Sequence, residues 1–188
     1  MTNLSTRRVA APSSTGSMTP ARRLRWLGPV GIVAAVGFSV AEWMVVRGPD
    51  NDGTVPQTLL ALTMTAPVVL ARRWPVPAAA AVLVAALVNG LVYPDLVRCA
   101  GAIPAAIYIA FAAGAWSREN GRSWAWPIAG LLLSAGGVVA QYAWDPALHA
   151  DSSFLVFGPG LVTIGWAAGV GWSLLARRWT ASRVATAG

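Results

Sequence analysis

The sequence predicts an all-α, polytopic membrane protein of about six transmembrane helices, arranged as three antiparallel hairpins with both termini in the cytoplasm. Three observations lead there. Hydrophobic residues make up 56% of the 188-residue chain and charged residues only 11%, too little charge to give a water-soluble domain its polar surface. The apolar residues gather in six runs, and the arginines fall between the runs, nearly all at alternate junctions.

The runs are Leu27 to Val46, Val55 to Ala71, Pro75 to Val92, Ala100 to Trp116, Ala125 to Ala143 and Phe154 to Ala176. Each has roughly 17 to 23 residues, enough to cross a ~30 Å hydrocarbon core at ~1.5 Å per residue. None shows the two-residue alternation of a barrel strand, so helices are expected, because in lipid a backbone must satisfy its own hydrogen bonds. Residues 1–25, rich in Ser, Thr, Pro, Ala and Gly, are expected to form a disordered, Arg-containing cytoplasmic tail. A cleaved signal peptide fits less well, since the first run is longer than an h-region and no small-residue cleavage site follows it closely. Residues 26–178 then form the transmembrane domain and residues 179–188 a short cytoplasmic tail. Arg72, Arg73, Trp74 and Pro75 separate the second and third runs so closely that the two must form a helical hairpin.

Orientation follows from the arginines. Arg7, Arg8, Arg22, Arg23, Arg25, Arg72, Arg73, Arg118, Arg122, Arg177, Arg178 and Arg183 fall on one side, and only Arg47 and Arg98 on the other. The rich side is expected to be cytoplasmic, which places the chain in the plasma membrane as a multi-pass protein. Trp26, Trp43, Trp74, Trp116, Trp124, Trp126, Trp144 and Trp179 lie near predicted helix ends, where an indole can bury its ring and keep its N–H wet. The formal charge of +7 is spread between apolar runs. It therefore marks topology and attraction to anionic lipid, and no nucleic-acid partner is expected. All fourteen basic residues are Arg, which with abundant Ala, Val and Gly points to a GC-rich bacterial genome. Cys99 is the only cysteine, so neither a disulfide nor a thiol-pair metal site can form within the chain.

Glu42, Asn89 and Gln141 interrupt the first, third and fifth runs. They sit about 21 to 24 Å from the predicted inner boundary, so they share one layer in the outer part of the membrane. Gly28, Gly31, Ala35, Ser39 and Glu42 follow helical spacing, as do Gly130, Ser134, Gly137 and Gln141, and such small-residue stripes face neighbouring helices. Tyr108 can reach the layer from the fourth helix. Two readings stand: the polar groups tie helices together, the default for isolated intramembrane polar residues, or Glu42, Asn89, Tyr108 and Gln141 form a ligand-binding or proton-sensing pocket.

Asp145, His149 and Asp151 share a loop, but without the spacing of a metal motif, and a solvated loop is the default. Gly165 and Gly169 form a small-xxx-small pair in the sixth helix, suited to packing within the chain or to a homodimer. Pro67, Pro104 and Pro159 are candidate kinks. No Ser/His/acid set and no Walker-type loop can be assembled, so neither catalysis nor a cofactor is expected.

The stretch Thr65 to Pro77, TAPVVLARRWPVP, the Arg-rich tail and the tight hairpins resemble the membrane-embedded N-terminal region of actinobacterial sensor histidine kinases. WSLLARRW is similar to the exit of their last helix. The resemblance covers roughly Arg22 to Trp179 and implies a signal-input module of a two-component system. No phospho-acceptor histidine or nucleotide-binding glycines follow within these residues, so no kinase residue carries over. The sequence is either a stand-alone relative of that region, whose output would need a partner kinase or another subunit, or a fragment of a longer protein. The expected function is a non-catalytic sensory or regulatory membrane module responding to lipid, envelope stress or a small amphiphile. A small-solute transporter, or a subunit of one, using the Glu42, Asn89 and Gln141 layer is the alternative.

Overall fold

The computed structural model describes residues 27–48, 53–94, 99–116, 123–144 and 153–185, and among these the regular elements are all helical. They are α1 (Leu27–Val46), α2 (Val55–Leu62), a 3₁₀ helix (Ala66–Leu70), α3 (Pro75–Val92), α4 (Cys99–Trp116), α5 (Ala125–Trp144) and α6 (Phe154–Ala185). Helices are long and apolar enough to cross a membrane over Gly28–Val46, Pro75–Val92, Ala125–Ala143 and Phe154–Trp179, while Val55–Leu70 and Gly101–Trp116 are shorter. The N-terminal tail and the Asp145, His149 and Asp151 loop lie outside the described residues.

Pro75 occupies the first position of α3, where its missing N–H leaves no bond unmade. The preceding turn is as tight as its sequence requires, with the N–H groups of Arg73 and Trp74 both donating to the Leu70 carbonyl. The second run, expected as one helix, is instead interrupted. From Thr63 the backbone tightens: Thr63, Met64 and Thr65 donate to the carbonyls three residues back, on Leu60, Ala61 and Leu62. Pro67 has no N–H to give and its ring opposes a helical carbonyl at Thr63, so the α-helix cannot run through. The sixth run departs in the other direction. Expected to end at Ala176, it continues as one helix to Ala185.

α4 lies at the centre, packed against α1, α3, α5 and α6. Its buried side chains are almost all alanine: Ala102, Ala105, Ala106, Ala110, Ala112, Ala113 and Ala115, with Ile109. Large aliphatic side chains point outward instead, among them Val33 and Leu91 at 72% exposure and Val156 at 79%. Small inside and large outside suits hydrocarbon surroundings, where helices gain from close approach and lose nothing by showing valine to lipid. Both predicted stripes face inward, since Gly31, Ala35 and Glu42 of α1 and Gly130, Ser134, Gly137 and Gln141 of α5 are buried.

Gly165 and Gly169 face α4, so this pair serves packing within the chain. A Cβ on Gly169 would lie 2.1 Å from the Phe111 carbonyl oxygen, and one on Gly165 2.9 Å from the Ile107 side chain. Gly114 of α4 returns the contact, as a Cβ there would lie 2.3 Å from the Trp166 carbonyl oxygen. The Trp166 indole N–H, 3.0 Å from the Pro127 carbonyl, ties the same helix to the start of α5. Gly169→Ala should therefore destabilise the purified protein by about 1–3 kcal/mol, since α4 backbone would have to move. Gly171, with open space around it, is the matched control. Gly171→Ala should leave stability unchanged or raise it by up to ~1 kcal/mol; thermal unfolding in detergent, followed by circular dichroism, reads both.

Candidate functional site

The polar residues of α1, α3 and α5 converge on the interruption in the second run. Where a regular helix gives each carbonyl an N–H four residues ahead, here side chains complete the bonding. Asn89 of α3 donates its amide to the Leu60 carbonyl at 3.0 Å and to Ala85 of its own helix at 2.7 Å. The Thr63 hydroxyl also donates to Leu60, and the Thr65 hydroxyl donates to Leu62 at 3.0 Å. Ser39 of α1 lies 2.7 Å from the Thr65 hydroxyl.

Gln141 of α5 reaches the same place, its amide nitrogen 2.8 Å from the sulfur of Met64. Met64 is fully buried, and Val46, Ala61, Ala86, Ala102 and Ala140 pack with it in one cluster that draws on α1 to α5. A thioether accepts weakly, so this bond holds Gln141 less firmly than two carbonyls hold Asn89. The Oε1 of Gln141, the Oδ1 of Asn89 and the Oγ of Ser134 are buried without a hydrogen-bond partner among the described residues.

Glu42 does something different. Its Oε2 accepts from the Gly101 N–H at 2.7 Å, one of the first amides of α4 and hence one without a carbonyl inside its own helix. A carboxylate at that end of a helix is favourably placed in the helix field. Glycine is what permits the approach, because a Cβ on residue 101 would lie 2.2 Å from the Phe38 carbonyl oxygen and 3.0 Å from the Glu42 Cβ. Glu42 is thus the cap of α4, supplied from α1.

Of the four residues singled out by sequence, Glu42, Asn89 and Gln141 border the Met64 cluster. Tyr108 does not join them. Its hydroxyl lies against Gly31, at 3.2 Å from where a Cβ would be, and Gly31 is eleven residues, about 16 Å, from Glu42 along α1. Sequence reading missed Met64, Thr65 and Gly101. The Thr63-Met64-Thr65-Ala66-Pro67 order carried a signal for the first two, with two hydroxyls able to bond backward just before a proline; nothing local marked Gly101. No group of three or more metal-ligating side chains occurs among the described residues. Comparison with family models, curated proteins and solved structures finds no match to this chain.

The two amides should respond oppositely to the same change. Asn89→Leu removes donors from two backbone carbonyls and should destabilise the protein by about 0.6–2 kcal/mol. Gln141→Leu trades a weak sulfur contact for release of a buried oxygen and should be neutral or stabilising. Unfolding in mixed detergent micelles, with helix content as the readout, separates them; equal losses would show that Gln141 is held by more than Met64.

Proposed function

We propose that the chain is a non-catalytic, membrane-embedded signal-input or regulatory module, similar to the sensor region of two-component histidine kinases. In this reading six segments cross the plasma membrane as three hairpins, both termini are cytoplasmic, and output passes to a kinase partner. The supporting observation is α6. It runs without interruption from Phe154 through the apolar span ending at Trp179 and on to Ala185, carrying exposed Arg177, Arg178 and Ser182. A continuous helix moves as a rod, so a shift in packing at Gly165 and Gly169 would be delivered to the far side of the bilayer.

Val55–Leu70 and Gly101–Trp116 span only about 24 Å as ideal helices. Gly101–Trp116 lies inside the bundle, where neighbouring helices and not lipid absorb the shortfall. The interruption at Thr63 to Thr65 supports a second reading, a small-solute transporter or transporter subunit, since broken helices beside unpaired polar oxygens form transport sites.

Two experiments test this. With Cys99 replaced by Ala, cysteines at Asp50 and Asp95 should react with an impermeant maleimide in intact cells, and cysteines at Arg73 and Arg178 only after permeabilisation; labelling of Asp50 and Arg73 from one side would end the hairpin topology. A photo-reactive residue at Arg178 or Ser182 should cross-link a histidine kinase in native membranes, while one at Val156 should not. Solute accumulation by proteoliposomes holding this chain alone, without such cross-linking, would transfer the assignment to transport.

A further inference from the structure

α1 and the interrupted segment leave a groove between them of about 460 Å³. Ala35, Ser39 and Trp43 form one wall and Leu62, Ala66 and Val69 the other. It opens to the outside of the bundle, since Trp43 and Val69 on its rims are 50% and 49% exposed. Its walls are apolar except for the Ser39 hydroxyl, which is engaged with Thr65. A lateral, apolar, elongated groove at membrane depth matches a hydrocarbon chain better than a polar solute.

The same face of α1 continues to a charge. Val36, Val40, Trp43 and Arg47 follow one another at helical spacing, and the Arg47 N–H still bonds the Trp43 carbonyl at 3.0 Å, so the helical path reaches Arg47. Arg47 is exposed and gives one donor to the Gly53 carbonyl at 2.8 Å. Arg47 therefore lies one helical turn beyond Trp43, the last α1 residue of the groove wall. Apolar groove, interfacial indole and cation in that order match a phospholipid from chain to phosphate.

We infer that this groove is a binding site for one anionic phospholipid, an acyl chain lying between α1 and the interrupted segment and the phosphate on Arg47. The inference deepens the signal-input reading by naming the ligand class. A seated chain would rest on the Ser39–Thr65 pair and on Leu62, and so on the side chains that complete the interruption.

Native mass spectrometry of the detergent-purified full chain, titrated with dioleoyl phosphatidylglycerol or dioleoyl phosphatidylcholine, tests the site without any signalling readout. Phosphatidylglycerol should bind about fivefold tighter, the effect of one basic residue at a membrane surface. Arg47→Gln should erase that preference, weakening phosphatidylglycerol more than phosphatidylcholine, whose phosphate meets the same arginine but whose headgroup carries no net charge. Val36→Trp and Ala66→Phe should each reduce both lipids, and Val36→Trp alters only a rim position that is 59% exposed, so its fold is kept even if Ala66→Phe disturbs packing. Equal affinities for the two lipids, adducts undiminished in Val36→Trp, or a dimer that Val36→Trp dissolves would each overturn the site, the last by assigning the groove to a second copy. Cross-linking of a kinase at Arg178 stands or falls separately.

Discussion

A peptide carbonyl in apolar surroundings has to find its donor within the protein, and the second apolar segment is where this chain meets that demand without a regular helix. Proline at position 67 withholds one N–H and crowds the carbonyl of Thr63. The backbone responds by tightening to three-residue hydrogen bonds from Thr63 onward. That geometry is poorer than the α-helical one, and it leaves room on the carbonyls of Leu60 and Leu62 for side-chain donors. Asn89, Thr63 and Thr65 take those places. The polar residues of three other helices are arranged around this single local difficulty, and their positions make sense only once it is recognised.

The second constraint is distance. Helices in hydrocarbon gain little from hiding large side chains, so adhesion depends on how closely backbones approach. α4 shows the result, with alanines on every face and glycines at both ends. Gly101 lets its own N–H reach Glu42, and Gly114 admits the backbone of α6 at Trp166. These contacts combine packing and polarity. The short α1 to α4 approach is what brings the Glu42 carboxyl group from one helix to an amide in the first turn of another.

Much of this was legible in the sequence. The limits of α1 and α3 follow from hydropathy alone, because Pro75 and the flanking polar residues leave no other place for them to begin and end. The inward faces of Ala35 and Glu42, and of Gly130, Ser134 and Gln141, follow from spacing, since small and polar residues at helical intervals have a reason to avoid lipid. What failed was anything needing knowledge of the partner. Hydropathy averages over Thr63 to Pro67 and so hides a break that depends on one missing N–H. It reports when a segment stops being apolar, not when it stops being helical, so the course of α6 through two arginines to Ala185 was lost. Tyr108 was placed by depth alone, whereas the space for its ring is opened by Gly31 on another helix. Glu42 read as a possible ligand site because its partner, an amide at residue 101, has no signature of its own.

Leu60 shows why the interruption is the element on which a regulatory role would turn. Its carbonyl now receives the Thr63 N–H, the Thr63 hydroxyl and Asn89. Were α2 to extend by one turn, the Met64 N–H would take that carbonyl, Asn89 would lose an acceptor, and Met64 would rotate away from Gln141. Proline 67 still bars a full helix, so the extension could reach no further than that turn. The backbone hydrogen bonds are exchanged one for one, and the difference between the two arrangements lies in the Asn89–Leu60 and Gln141–Met64 contacts, which only the interrupted form makes. Each partner that changes hands belongs to a helix with its own onward contacts: α3 and α5 pack together, α5 meets α6 through Trp166 and Pro127, and α1 holds α4 through Glu42 and Gly101. A ligand in the lateral groove, touching Leu62, Ala66 and Ser39, would act on this exchange directly, because Leu62 and Ser39 adjoin the residues whose hydrogen bonds change.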